Sequence, residues 1–239
     1  HSLCGNKNMD KFGLDIQKLL LERYPESVRH TTNAGSLPLH IAAALQSPEF
    51  CSILIDAYPG SERMTSDEGV LPLHVACVEG SITTVEYLCE IYPESINVAD
   101  SSWFGRYPIH WAINGIIKRR VGNQNAPETA VEILRFLLDC DPNVASQGEL
   151  PLYYACHRVS SRTPVQMRRA VSAASNDTLR FMKLVFDIYP QAIEDPLMTN
   201  LGRLPPKIQL FIDSRLSTAQ LARDHREMTT GDEEDGRLP

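Results

Sequence analysis

Apolar pairs recur along the chain at Leu20-Leu21, Leu54-Ile55, Leu88-Cys89, Leu137-Leu138 and Val185-Phe186. Ahead of the last four, three positions earlier, stand Cys51, Val85, Leu134 and Met182. Spacing of i, i+3, i+4 gathers side chains on one face of a helix, so each pair predicts an amphipathic helix with one buried stripe. A second set of apolar runs alternates with the first: 39–43 (Leu-His-Ile-Ala-Ala), 73–77 (Leu-His-Val-Ala-Cys), 109–113 (Ile-His-Trp-Ala-Ile) and 152–156 (Leu-Tyr-Tyr-Ala-Cys). The chain therefore reads as a series of helix pairs.

Proline and glycine punctuate the series at fixed places. Gly-x-[Leu/Tyr]-Pro occurs at Gly35–Pro38, Gly69–Pro72, Gly105–Pro108, Gly148–Pro151 and Gly202–Pro205, with prolines 34, 36, 43 and 54 residues apart. Each of these prolines suits the first position of a helix, where a missing N–H leaves no bond unmade. Tyr-Pro follows the second helix at Tyr24-Pro25, Tyr58-Pro59, Tyr92-Pro93 and Tyr189-Pro190, with Asp141-Pro142 in the remaining slot. There proline ends the helix, because it cannot extend the hydrogen-bond ladder. Between Tyr-Pro and the next anchor, Asn33-Ala34-Gly35 and Asp67-Glu68-Gly69 mark tight turns in which glycine supplies a positive φ. Each unit is helix, short turn, helix, then an extended finger.

The run G-x-x-P-L-H-x-A-[A/C], followed by paired apolar residues and a turn with Asp and Gly, resembles the ankyrin repeat of about 33 residues. The likeness covers roughly residues 1–215. It implies an all-α solenoid of stacked helix-turn-helix units that binds a protein through its concave helix-one face and its fingers. Two positions depart from the family. Its Thr before Pro-Leu-His is Leu37, Leu71, Tyr107 or Leu150 here, which removes the usual Thr–His hydrogen bond. Its Gly-Ala after the second helix is Tyr-Pro, which suggests an aromatic cover over that helix end.

On this reading residues 1–225 form the array. A partial repeat spans 1–32, repeats span about 33–66, 67–100, 101–145 and 146–195, and a degenerate cap spans 196–225. The start resembles mid-repeat, since His1-Ser2-Leu3-Cys4 parallels His74-Val75-Ala76-Cys77, and an apolar face is expected there unless more protein precedes it. In the cap, Pro205-Pro206-Lys207 replaces Pro-Leu-His, and Ile208, Leu210, Phe211 and Ile212 supply a core. Residues 226–239, with Gly231-Asp232-Glu233-Glu234-Asp235-Gly236, are expected to be a disordered acidic tail.

Catalytic chemistry finds little support. His40, His74 and His110 hold the same slot in successive units, and a residue repeated at the structural period serves structure first: these are expected to bond backbone groups and tie neighbouring fingers together. In the fourth unit Tyr153 takes that slot. No HExxH, P-loop, G-x-S-x-G or G-x-G-x-x-G sequence is present. No catalytic, cofactor-binding or metal-ligating residue is therefore assigned. The six cysteines form no CxxC pair and read mostly as small buried apolar residues. Trp111 and Tyr154, in the slot of Ile41 and Val75, are expected to pack partly in the core.

Net charge is −7, which disfavours nucleic acid as a general partner. The chain has no apolar run of membrane-spanning length. Charge is nevertheless uneven. Relative to the second unit, the third and fourth carry 13 and 18 extra residues between their helices. Residues 115–127 and 157–176 contain no acidic side chain and together hold +7, from Lys118, Arg119, Arg120, Arg158, Arg162, Arg168 and Arg169. Stacking would set these insertions side by side as a basic ridge, competent to dock an acidic protein, or only a solvated pair of loops. The third finger is two residues longer than its predecessor and carries Trp103, Phe104 and Arg106, residue types favoured as interface anchors. The expected function is a non-catalytic scaffold binding a protein partner through these groups. Alternatives are a targeting arm or structural subunit of a larger assembly, and an anionic-membrane or nucleic-acid binder whose affinity would fall steeply with salt. An intracellular setting is the default.

Overall fold

The computed structural model describes residues 1, 3–5, 11–79, 81–101, 105–118, 126–146, 151–159, 179–180, 182–194, 198 and 204–231. Among them all regular structure is helical: α1 (Lys11–Arg23), α2 (Pro38–Leu45), α3 (Pro48–Ala57), α4 (Pro72–Glu79), α5 (Ile82–Ile91), α6 (Pro108–Lys118), α7 (Ala126–Cys140), α8 (Pro151–Val159), α9 (182–188) and α10 (Pro206–Gly231). Helices α2, α4, α6 and α8 each begin at the anchor proline, as the sequence predicts. The first helices stack in series, α2 on α4, α4 on α6 and α6 on α8, and the second helices follow, α3 on α5 and α5 on α7. Helix pairs α2/α3, α4/α5 and α6/α7 are the units of an all-α solenoid.

The predicted stripes form the core. Cys51 and Leu54, Val85, Leu88 and Cys89, Leu134, Leu137 and Leu138, and Met182 and Val185 are all buried, with Ile55 and Phe186 packed partly against them. Side-chain caps start the second helices: Ser47 Oγ accepts from Phe50 N–H (3.4 Å) and Ser81 Oγ from Thr84 N–H (3.2 Å). Five of the six cysteines are buried, and Cys140 is exposed. Tyr154 is buried and Trp111 is partly buried against the core.

Four expectations need correction. After Tyr-Pro the chain does not go directly into an extended finger. It first makes a short 3₁₀ helix at Pro25–Arg29, Ser61–Arg63, Pro93–Asn97, Pro142–Ser146 and Pro190–Glu194, because proline's fixed φ suits the first position of such a turn as well as it stops the helix before it. Leu20 is exposed rather than buried. Gly13 and Gln17 take the inner face of α1, and Gln17 Nε2 donates to the Phe50 carbonyl (3.0 Å). Leu210 is exposed as well, because Ile208, Phe211 and Ile212 already complete the i, i+3, i+4 stripe of α10. Finally, α10 continues through 226–231, where disorder was expected: no proline or glycine interrupts it between Pro206 and Gly231.

The fingers are tied to one another through the backbone. Asp67 N–H donates to the Ala34 carbonyl (3.2 Å) and Ser101 N–H to the Glu68 carbonyl (2.8 Å), so each turn hydrogen-bonds to the next. Gly35 and Gly69 both sit at φ +71° within this contact. A Cβ on Gly69 would lie 2.5 Å from the Ser101 nitrogen. Gly60, at φ +88°, has open space around it. Gly60→Ala should therefore lose only the left-handed backbone cost, roughly 1 kcal/mol. Gly69→Ala should lose about 1–3 kcal/mol more, because the finger contact must open. Paired urea melts separate the two, and equal losses would show that the finger contact adds nothing.

Candidate functional site

The surface formed by the first helices and the fingers is organised by histidine. His40 N–H donates to the Leu37 carbonyl (3.0 Å), and Leu37 N–H donates back to His40 Nδ1 (3.1 Å). The ring then reaches the next unit, where Nε2 lies 2.9 Å from the Val70 carbonyl oxygen. Since Nδ1 accepts and a carbonyl can only accept, the proton must sit on Nε2. His74 repeats the arrangement: Leu71 N–H to Nδ1 at 3.0 Å, and Nε2 to the Val98 carbonyl at 3.0 Å. In the third unit Tyr107 N–H donates to His110 Nδ1 (3.1 Å). The expectation that these histidines bond backbone and join neighbouring fingers holds for His40 and His74. It also explains how the fold dispenses with the family's threonine: the backbone N–H at that position supplies the bond to histidine. Burial pushes the His40 pKa down and that of His74 down to about 4, overriding the opposing pull of Asp100 and the backbone bonds.

At the base of each finger one residue accepts backbone N–H groups. Thr32 Oγ1 takes those of Ala34 and Ser36 (3.3 and 3.2 Å), and Ser66 Oγ that of Val70 (3.3 Å). In the longer third finger the acceptor is a carboxylate. Asp100 is buried, and Oδ1 accepts from Arg106 N–H (2.9 Å) while Oδ2 accepts from Trp111 Nε1–H (2.9 Å) and pairs with Arg106 Nε (3.5 Å). Three donors, one of them charged, offset the cost of burying this carboxylate. The Arg106 guanidinium lies over the Trp111 ring (5.5 Å), and Trp111 meets His74 edge-on (5.7 Å). Next along the stack, Asn114 Nδ2 donates to the Tyr154 hydroxyl (2.8 Å), and Tyr154 meets His110 edge-on (5.3 Å). A line of rings and polar tips thus runs across three successive first helices.

Of the sequence-assigned contact residues, Arg106 stands in this line, half-buried and held by Asp100. Lys118 ends α6 and Arg158 lies in α8. Trp103, Phe104, Arg119, Arg120, Arg162, Arg168 and Arg169 lie outside the described residues. The 115–127 insertion, read as a loop, is partly helical: α6 runs on to Lys118 and α7 starts at Ala126.

The seams between second helices carry a contact that the sequence foreshadowed only in its aromatic half. At these seams, a residue from one 3₁₀ turn caps the helix end of the next unit. The Arg29 guanidinium lies 4.9 Å over the Tyr58 ring, and Arg63 lies 4.4 Å over Tyr92. This is the aromatic cover that Tyr-Pro suggested, with arginine from the preceding unit on top of it. At the third seam both partners differ, and Asn97 Nδ2 donates to Asp141 Oδ2 (2.9 Å). Bonds from Asn97 and Asn143 hold the Asp141 carboxyl below its ordinary range.

Helix pairs stacked in register, with backbone-linked fingers and a repeated histidine staple, define a repeat solenoid whose exposed side chains sit on a rigid frame. The family model for ankyrin repeats matches residues 9–100 in three copies, and these residues are ankyrin repeats, a module that generally mediates protein–protein interaction. The helix pair α6/α7 continues the stack beyond that stretch, with the same anchor proline and the same Tyr107–His110 bond. No curated protein matches the chain. Among the described residues no cluster of His, Cys, Asp or Glu is arranged to hold a metal ion, and no helix is long and apolar enough to cross a membrane.

Proposed function

We propose that this chain is a non-catalytic scaffold that holds a protein partner across its concave first-helix face and fingers, with the basic insertions as a second point of attachment. The observation that carries this reading is the ordered frame under this face: buried His74, His110 and Tyr154 and the buried Asp100 carboxylate hold the partly exposed Trp111 and Arg106 in place before any partner arrives. A surface already ordered loses little conformational entropy on association, so a few aromatic and arginine anchors suffice for useful affinity. Arg106 is suited to this: its side chain is 30% exposed, and its guanidinium is oriented by Asp100 and Trp111. Trp103 and Phe104 would extend the same finger, and Lys118, Arg119, Arg120, Arg158, Arg162, Arg168 and Arg169 would attract an acidic region of the partner.

The reading is tested by affinity capture from source lysate with three baits: the intact chain, Trp103→Ala/Phe104→Ala, and a variant with Arg119, Arg120, Arg168 and Arg169 reversed to Glu. A protein retained by the intact chain and lost with either variant supports it and identifies the anchor. A set of captured proteins unchanged across all three overturns the assignment of these residues.

A further inference from the structure

The seam between α5 and α7 opens into a groove of about 690 Å³. Its floor is apolar, from Ile96 and Phe136, and its rim carries Glu86, Glu90, Glu94 and Asp141. None of its described lining residues is basic. Glu86, Glu90 and Glu94 are exposed, and none of the three forms an ion pair among the described residues. Four carboxylates around one apolar floor repel each other and are left for a cation from outside to offset.

The two preceding seams show what chemistry this position accommodates. There the residue four places after Tyr-Pro's proline is arginine, and its guanidinium lies on the tyrosine of the next unit. At the third seam the arginine position holds Asn97 and the tyrosine position holds Asp141. The seam has thus exchanged its own cation for a neutral amide and its aromatic ring for a further negative charge. Phe136, half-buried beside it, still offers an apolar surface.

We propose that this groove, on the edge of the stack away from the histidine row, docks an arginine-containing, amphipathic segment of a partner protein. One guanidinium enters where Arg29 and Arg63 sit in the earlier seams and meets Asp141 and Glu94. Apolar side chains of the segment lie on Ile96 and Phe136, and a second cation pairs with Glu86 and Glu90. Arginine is favoured over lysine because its planar group both stacks and donates in a fork to carboxylates. The site is separate from the surface of the proposed scaffold function and requires a partner region of opposite charge to the one that would meet the basic insertions.

The test uses the full chain and two fluorescein-labelled nonapeptides, one with three arginines interleaved with leucines and one with glutamate in place of each arginine, followed by fluorescence anisotropy at low and moderate salt. Asn97→Arg/Asp141→Tyr rebuilds within the third seam the pair found in the first two. It should leave the thermal melt intact and weaken the arginine peptide by about tenfold or more. Glu22→Lys, with the same change in net charge on α1, should leave binding within about twofold. Cys140, exposed in the groove while the other cysteines are buried, reports position: bound arginine peptide should slow its alkylation by iodoacetamide. Equal binding of both peptides, equal losses in Glu22→Lys and the double variant, or unprotected Cys140 at saturating peptide would each overturn the proposal. Failure of the scaffold reading would leave all three results unchanged.

Discussion

Lowering the pH from 7.5 to 4 should weaken the stack by on the order of 3 kcal/mol through His74 alone, given a fall of its pKa from 6.5 to about 4 on folding. The sign follows from the hydrogen bonds. Folded His74 is neutral, with Nδ1 already accepting the Leu71 N–H, so a second proton has no acceptor and would break that bond. The unfolded chain binds this proton near pH 6.5 and the folded chain only near pH 4. The stabilisation is complete above pH 6.5 and is lost as pH falls toward 4, with about 2 kcal/mol gone by pH 5, before most carboxylates titrate. His40 shifts in the same direction for the same reason and adds to the loss. Urea unfolding followed by far-UV circular dichroism at pH 7.5, 6.5, 5.5 and 5 measures it. His74→Gln, which cannot titrate, should be less stable at pH 7.5 and show a visibly flatter decline. A decline as steep in His74→Gln as in the parent would mean that carboxylates, and not the histidine staple, govern acid sensitivity.

The staple shows why part of this fold could be read from residues alone. Anything that recurs at the structural period identifies itself: the anchor prolines, the buried triplets such as Val85, Leu88 and Cys89, and the histidines at 40, 74 and 110 all do so. Side chains placed by pairwise contacts between units are harder to foresee. Arg29 and Tyr58 are 29 residues apart, and their meeting depends on a 3₁₀ turn whose presence after Tyr-Pro was not expected. Asp141 was visible only as the odd member of the Tyr-Pro series, with Asn97 unnoticed, because neither residue departs from ordinary surface composition. The role of Asp100 was hidden for a related reason: Thr32, Ser66 and Asp100 differ in chemistry and share only the task of accepting finger N–H groups. Leu20 and Leu210 failed where the array ends, since an apolar residue is buried only if a neighbouring unit lies against that face.

Leu88→Ala should remove about 2–5 kcal/mol, the cost of losing a fully enclosed leucine together with the void it leaves. Leu88 is 2% exposed and belongs to the cluster that includes Val85, Cys89, Ile96 and Leu134. Its helix α5 touches α3 and α7 besides its partner α4, so a defect in the buried stripe of α5 bears on packing with the units before and after it. In a linear stack each unit is stabilised mainly by its neighbours, and a defect in the middle weakens both interfaces at once. The change should therefore lower stability and also reduce cooperativity: α2 and α3 should come to exchange amide hydrogens at a different rate from α6 and α7, while the parent chain protects both blocks together. Leu20→Ala, on the exposed face of α1, supplies the contrast and should cost less than about 0.5 kcal/mol. A Leu88→Ala loss as small as that would place α5 with the wrong face inward and with it the register of the whole seam, including the groove that Glu86, Glu90 and Asp141 border.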